Sequence, residues 1–130
     1  MSTGIAPFGE ERAESIGMIR DSARGLLGSD MARVRRLRFT EPGFDPALLR
    51  AMAEAGWVGL LLPEDSGGTG LGHAEMVALA EEMGRACAPE PLGAVQMAAQ
   101  LLHDAGHPLL EALLAGEAVV IPAWQDRANT

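Results

Sequence analysis

From Glu10 to Leu27 the apolar residues Ile16, Ile19, Ala23, Leu26 and Leu27 recur at intervals of three and four among Arg20, Asp21, Ser22 and Arg24. That spacing puts them on one stripe of an amphipathic helix, which Gly28 ends. Between Asp30 and Phe39 the apolar Met31, Val34 and Leu37 lie three apart among Arg33, Arg35, Arg36 and Arg38, a pattern compatible with a short helix. Asp45-Pro46 is a sharper start signal. An aspartate accepts from orphan amides at a helix N-cap, and proline has no amide to lose at the first helical position. The helix it opens runs to about Ala55 with Leu48, Leu49 and Met52 on its apolar side, and Gly56 supplies the left-handed residue that commonly stops a helix.

The apolar run Trp57 to Leu62 is too short for a helix of its own and is closed by Pro63. After a glycine-rich stretch, His73 to Cys87 reads as helix, with Met76, Leu79, Ala80, Met83 and Cys87 on one face and Glu75, Glu81 and Glu82 set elsewhere. Glu81 and Arg85 are spaced to pair one turn apart. Pro89 and Pro91 break the chain. Leu92 to Ala105 is then apolar nearly all round, as a helix covered on several sides would be, and Gly106 ends it. His107-Pro108 opens a last short helix through Ala115, with Leu109, Leu110, Leu113 and Leu114 for burial.

Ala118 to Trp124 reads as the single strand, confined to an edge or an end by Pro122, which lacks a ladder donor. One strand makes no sheet. It implies a partner sheet outside this chain, so the sequence reads as incomplete, with a tail over 1–9, a helical domain over 10–117 and the start of a connection over 118–130. The fold class expected is all-α: an up-down bundle of five to six helices with a short C-terminal strand.

Composition narrows the function. Hydrophobic residues make up 48% and charged residues 22%, near the globular average, and the dominance of Ala, Leu and Met favours helix. The net charge of −8 is unevenly placed: residues 1–50 hold eight Arg against seven acids, and residues 51–130 hold two Arg against eleven acids. A chain so acidic, and without lysine, argues against a nucleic-acid partner. A single Cys87 allows no internal disulfide and suits a reducing compartment, with the cytoplasm as the default. No apolar stretch has the length of a membrane span or a signal segment.

Candidate chemistry is sparse. Gly67-Gly68-Thr69-Gly70-Leu71-Gly72 invites a phosphate-loop reading, but the dinucleotide register ends on His73 and a Walker loop needs a lysine. A tight connector is the reading preferred. His103, Asp104 and His107 have metal-like spacing, interrupted by Gly106 and Pro108, so helix-terminal capping is preferred and no metal is expected. The adjacent pairs Glu81-Glu82 and Glu64-Asp65 read as solvated faces, and Cys87 reads as a small packed hydrophobe. The four arginines from Arg33 to Arg38 either hold a phosphate-bearing ligand or, as preferred, pair with the acidic second half. No residue type and spacing identifies a catalytic group.

The stretch "FDPALLRAMAEAGWVGLLLPEDSGGTGLGHAEMVALAEEMGRA" resembles the N-terminal helical domain of the acyl-CoA dehydrogenase family. A helix ending in a Gly-aromatic pair, an apolar run into Pro-Glu, a Gly-Gly-x-Gly loop and a helix carrying Glu-Glu follow in the family's order. "LLAGEAVVIPAWQD" resembles the segment leading into that family's central β domain, so the likeness covers roughly residues 10–126. It implies one domain of three in an FAD-dependent enzyme that removes the α and β hydrogens of an acyl-CoA. The base and most flavin contacts would belong to the other two domains, so this chain alone is expected to bind FAD weakly or not at all.

The resemblance further implies that the helix after the proline break borders the acyl chain through Pro91, Val95 and Ala99, although ordinary core asks for the same side chains. It implies flavin contact at the domain junction from Gln125 and Asp126, where the family usually has Thr-Glu-Pro and this chain departs from it. "RACAPEPL" is similar to members that work as unlike-subunit pairs on steroid or branched acyl-CoA, so a homo- or hetero-oligomer is expected. The competing reading is a stand-alone helical interaction module or a non-catalytic partner subunit.

Overall fold

The computed structural model describes residues 9–125, and these hold six helices: α1 (Glu10–Leu27), α2 (Met31–Leu37), α3 (Pro46–Glu54), α4 (His73–Arg85), α5 (Leu92–Asp104) and α6 (Leu109–Leu114). Helix starts follow side-chain chemistry. The Asp45 carboxylate accepts from the Ala47 amide at 2.9 Å ahead of Pro46, and Asp30 caps α2 by accepting from the Arg33 amide at 3.1 Å. Caps of this kind stabilise a helix by about 1 kcal/mol each. None of the helices is long and apolar enough to cross a membrane among the described residues.

α1 lies along α4, while α6 packs against both α3 and α5. Trp57, Met52, Leu60, Leu62, Leu79, Val95 and Leu113 are the largest fully buried side chains and join these layers into one core. The run from Trp57 to Leu62 is neither helix nor strand but a series of turns, held because the glycine loop folds back on it. Thr69 and Leu71 donate their amides to Gly59 and Leu60 at 3.1 and 3.0 Å, Gly70 donates to Leu62 at 2.8 Å, and the Thr69 hydroxyl donates to Leu60 at 2.9 Å. The loop amides are thereby used by carbonyls, and a buried turn run is left with its polar backbone satisfied. The tight-connector reading of the glycines is the one the geometry supports.

Three carboxylates are buried, Glu75, Glu82 and Glu90. Glu82 keeps 2% of its surface and receives Arg24 at 3.0 Å and Arg20 at 3.2 Å, with Arg85 at 3.6 Å. Glu75 accepts from the Ser15 hydroxyl and the Gly72 amide, each at 3.0 Å. Glu90 takes two bonds from Arg33 and one from the Asp45 amide at 3.0 Å. The solvated-face reading therefore fails for Glu82. Sequence neighbours on a helix point apart, so Glu81 is exposed while Glu82 meets α1. Glu81 pairs with Arg20 at 2.6 Å, not with Arg85, which pairs with Glu82. Arg33 does pair with the acidic half through Glu90, whereas Arg36 pairs with Asp30 in its own half.

Two further expectations are corrected. α4 ends at Arg85, and Cys87 lies beyond it with φ of 49°, exposed; it closes the helix in the left-handed position and packs into nothing as a small hydrophobe. No strand is present among the described residues. From Ala118 to Ala123 half-buried and exposed positions alternate as a strand's would, but a strand exists only by pairing, and no other strand among the described residues lies beside it. Trp124 is 79% exposed.

The hydrogen bonds from Arg24, more than burial opposes, hold the Glu82 carboxyl below its ordinary value of 4.5. Burial pushes Glu75 up, but its own amide, Ser15 and Gly72 outweigh that and leave it low as well. A carboxyl lowered in the fold gives stability that is complete above the unfolded value and is lost as pH falls through the folded one. The urea midpoint followed by circular dichroism is therefore expected to drop below about pH 4.5. Glu82→Gln is expected to be less stable near neutrality and to show a shallower acid slope; an unchanged slope would contradict the role given to this cluster.

Candidate functional site

The proline break at Pro89 and Pro91 turns the chain so that α5 lies beside α4, with a groove between them. One section of about 500 Å³ is lined by Val58, Leu61, Leu62, Leu71, His73, Met76, Gly93, Gln96, Met97 and Gln100. A second, of about 330 Å³, is lined by Leu79, Ala80, Met83, Gly84, Cys87, Ala88, Glu90 and Leu92. Met76, Gly93 and Gln96 border both, so the two sections meet at them. The apolar face expected on α4, from Met76 through Met83 to Cys87, lines this groove; the side of α4 that meets α1 carries Glu75 and Glu82.

α5 was expected to be covered on several sides, and among the described residues one side is open. Leu92, Val95, Ala98 and Ala99 are buried, whereas Met97 is 55% and Leu101 54% exposed. Met97 lines the groove and Leu101 lies beyond it, and exposed apolar side chains of this kind mark a surface that meets an apolar ligand or another protein layer.

Of the three residues expected to wall an acyl chain, Pro91 is half-buried at the head of α5, while Val95 and Ala99 are 2% and 1% exposed within the core. Val95 also borders a smaller hollow of about 190 Å³ shared with Leu49, Leu113 and Val119. The stripe of α5 that lines the groove is the neighbouring one, Gly93, Gln96, Met97 and Gln100, spaced i, i+3, i+4 and i+7. Two glutamines on an otherwise apolar helix were the available signal, since they mark its wetter side. Gln96 is held in place by donating from Nε2 to the Trp57 carbonyl at 2.9 Å, and Gln100 donates to Asp104 at 2.9 Å.

No group in this groove has the arrangement of a nucleophile or an acid-base pair. Its lining is suited to excluding water and receiving an apolar body. His107, part of the metal-like spacing, accepts at Nδ1 from the Leu109 amide at 3.1 Å, which is capping. Gln125 is exposed and borders none of the hollows above, and Asp126 lies outside the described residues.

The model of the family described as acyl-CoA dehydrogenase, N-terminal domain, matches residues 13–112. Acyl-CoA dehydrogenase IpdE2 of Mycobacterium tuberculosis is 32% identical over 99 residues, which is 74% of this chain and 31% of that protein. Its counterpart in Mycolicibacterium smegmatis is 35% identical over 83 residues, 62% of this chain and 27% of that one. Among solved structures, a variant of the Tcur3481-Tcur3483 steroid ACAD superposes with a TM-score of 0.73 at 31% identity, covering 84% of this chain and 32% of the other. The ChsE4-ChsE5 complex from Mycobacterium tuberculosis shares the fold with a TM-score of 0.65 at 23% identity, covering 88% of this chain and 32% of the other. The chain thus spans about a third of the length of the relatives it matches.

Proposed function

The chain belongs to the acyl-CoA dehydrogenase family and carries its N-terminal helical domain, and from that premise we propose that it supplies the acyl-facing wall of a flavin-dependent dehydrogenase that desaturates an acyl-CoA thioester. The observation that carries this reading is the open apolar groove between α4 and α5, built on a packed core that needs nothing more from those side chains. Pro91 sets the direction of α5, and Val95 and Ala99 form the buried row that holds Gly93, Gln96 and Met97 against the acyl chain.

The residues described here do not form a cradle for FAD. Gln125 is exposed and borders none of the hollows above; the family resemblance alone gives it, and Asp126 outside the described residues, a contact to a flavin held by other domains of the complete enzyme. When bound there, the flavin supplies the redox chemistry. This chain's part is to orient the acyl group and keep water from it. Partner subunits fit the same reading: the solved relatives are the Tcur3481-Tcur3483 steroid ACAD and the ChsE4-ChsE5 complex, and the exposed Val119, Ile121 and Trp124 leave apolar surface for another layer to cover. Cytoplasmic placement agrees with a single free cysteine.

An octanoyl-CoA carrying a photoreactive diazirine at the acyl end tests the proposal. Irradiation with the chain, followed by peptide mass spectrometry, is expected to label residues 58–76 and 93–100, and excess octanoyl-CoA is expected to suppress the label. Labelling on α1 and α2, or labelling that octanoyl-CoA does not compete, would contradict it.

A further inference from the structure

We infer that two copies of this chain associate through α1 and α2, with the acidic outer stripe of α1 in each copy meeting the basic outer stripe of α2 in the other. On α1, Glu10, Glu14, Met18 and Asp21 recur at intervals of four, four and three, which puts them on one stripe, and all four are exposed. Met18, between Glu14 and Asp21, keeps 68% of its surface. On α2, Met31, Arg35 and Arg38 recur at intervals of four and three, with Phe39 following Arg38, and this side is exposed too. Phe39 keeps 85% of its surface, and the Arg38 guanidinium lies 5.3 Å from the centre of its ring.

The arginines that face the rest of the chain are paired within it, Arg20 and Arg24 with Glu82 and Arg33 with Glu90. Glu10, Glu14, Asp21, Arg35 and Arg38 form no ion pair among the described residues. Gly17 and Gly25 share the acidic side of α1, although a glycine costs a helix interior about 1 kcal/mol. Neither has a positive φ, and a Cβ at either meets nothing within 4 Å, so the chain's own packing asks for neither. Their bareness lets a second backbone come close on that side. Arginine, methionine and phenylalanine are side chains enriched where proteins meet, and the opposite charge stands on the same molecule. A surface that carries a patch and its complement makes both contacts at once when two copies are related by a two-fold. Each contact engages about four residues a side, so the pairing is small, weak and salt-sensitive. Neither helix lines the groove, and the acyl wall stands or falls separately.

Sedimentation velocity reads the association, in a Trp124→Ser background that quiets the exposed apolar tail. A dimer is expected at about 20 mM salt, with association at least about tenfold weaker at about 500 mM. Arg35→Glu with Arg38→Glu, and separately Glu10→Lys with Glu14→Lys, are each expected to give monomers with the circular dichroism of the parent, since all four positions are exposed. Mixing the two reversed chains restores opposite charge at both contacts, and a dimer is expected to return. A monomer with both stripes unaltered at low salt, a dimer that survives either reversal, no dimer on mixing, or species that grow past the dimer with concentration would each overturn the inference. Monomers whose α2 amide signals shift with inorganic phosphate would overturn it in favour of a phosphate-bearing ligand on Arg35 and Arg38.

Discussion

Gly68→Ala is expected to destabilise the chain by about 3 kcal/mol or more, enough to leave much of it unfolded. The new Cβ would sit 2.1 Å from the Leu62 oxygen and 2.5 Å from its carbonyl carbon, where non-bonded carbons need about 3.5 Å. Both atoms are backbone, so no rotamer relieves the clash. Relief requires lifting the loop from the turn run, which breaks the Gly70 bond to Leu62 and the Gly68 bond to Pro63. Each such bond contributes about 1 kcal/mol, and the loss would expose Leu60 and Leu62 to water. Gly84→Ala is the matched control: nothing lies within 4 Å of its Cβ, so it should be neutral or slightly stabilising. Urea unfolding followed by circular dichroism reads both, and a wild-type midpoint for Gly68→Ala would contradict the packing described.

Met97→Glu is expected to weaken octanoyl-CoA binding at least tenfold, a loss of about 1.4 kcal/mol or more. A carboxylate in a largely apolar groove must shed water when the acyl chain arrives, which costs binding free energy. Folding should be untouched, because Met97 is more than half exposed in the unliganded chain. Leu101→Glu separates a local effect from a general one. Leu101 is equally exposed on α5 but lies outside the residues lining the groove, so its affinity should stay within about twofold of wild type. Equal losses in the two variants would mean that the acyl group does not sit at Met97.

The helices were legible because their boundaries are written in local chemistry. Asp45-Pro46, Gly28, Gly56 and Gly106 each act on their own neighbourhood, and α1, α3 and α5 begin and end within a residue or two of where those signals put them. The charges were less legible. Glu75 and Glu82 are seven apart on the stripe of α4 that faces Arg20 and Arg24 on α1, but an acid on a buried stripe is recognised only once its arginine is known to be opposite. Cys87 was misplaced because nothing local distinguishes the last helical turn from the left-handed residue beyond it.

The groove was half legible. The helix that lines it was identified; Val95 and Ala99, expected to wall an acyl chain, are buried in the core, and the neighbouring stripe lines the groove, a distinction hard to read because burial and an acyl lining ask for the same side chains. Gly93, Gln96 and Gln100 carried the distinguishing signal: a helix side with no need to be packed. The strand over 118–124 was legible as an alternation, and the alternation is present in half-buried Val120 beside exposed Val119 and Ile121. Pairing is a property of two segments, and one segment cannot display it.

Backbone amide shifts of the isotope-labelled chain, recorded as octanoyl-CoA is added, address the assignment of the groove most directly. The account predicts saturable changes concentrated at Val58, Leu61, Met76, Gly93, Gln96 and Met97, with α1 and α2 unmoved. Changes confined to α1 and α2, or none at millimolar ligand while the chain is folded, would contradict it.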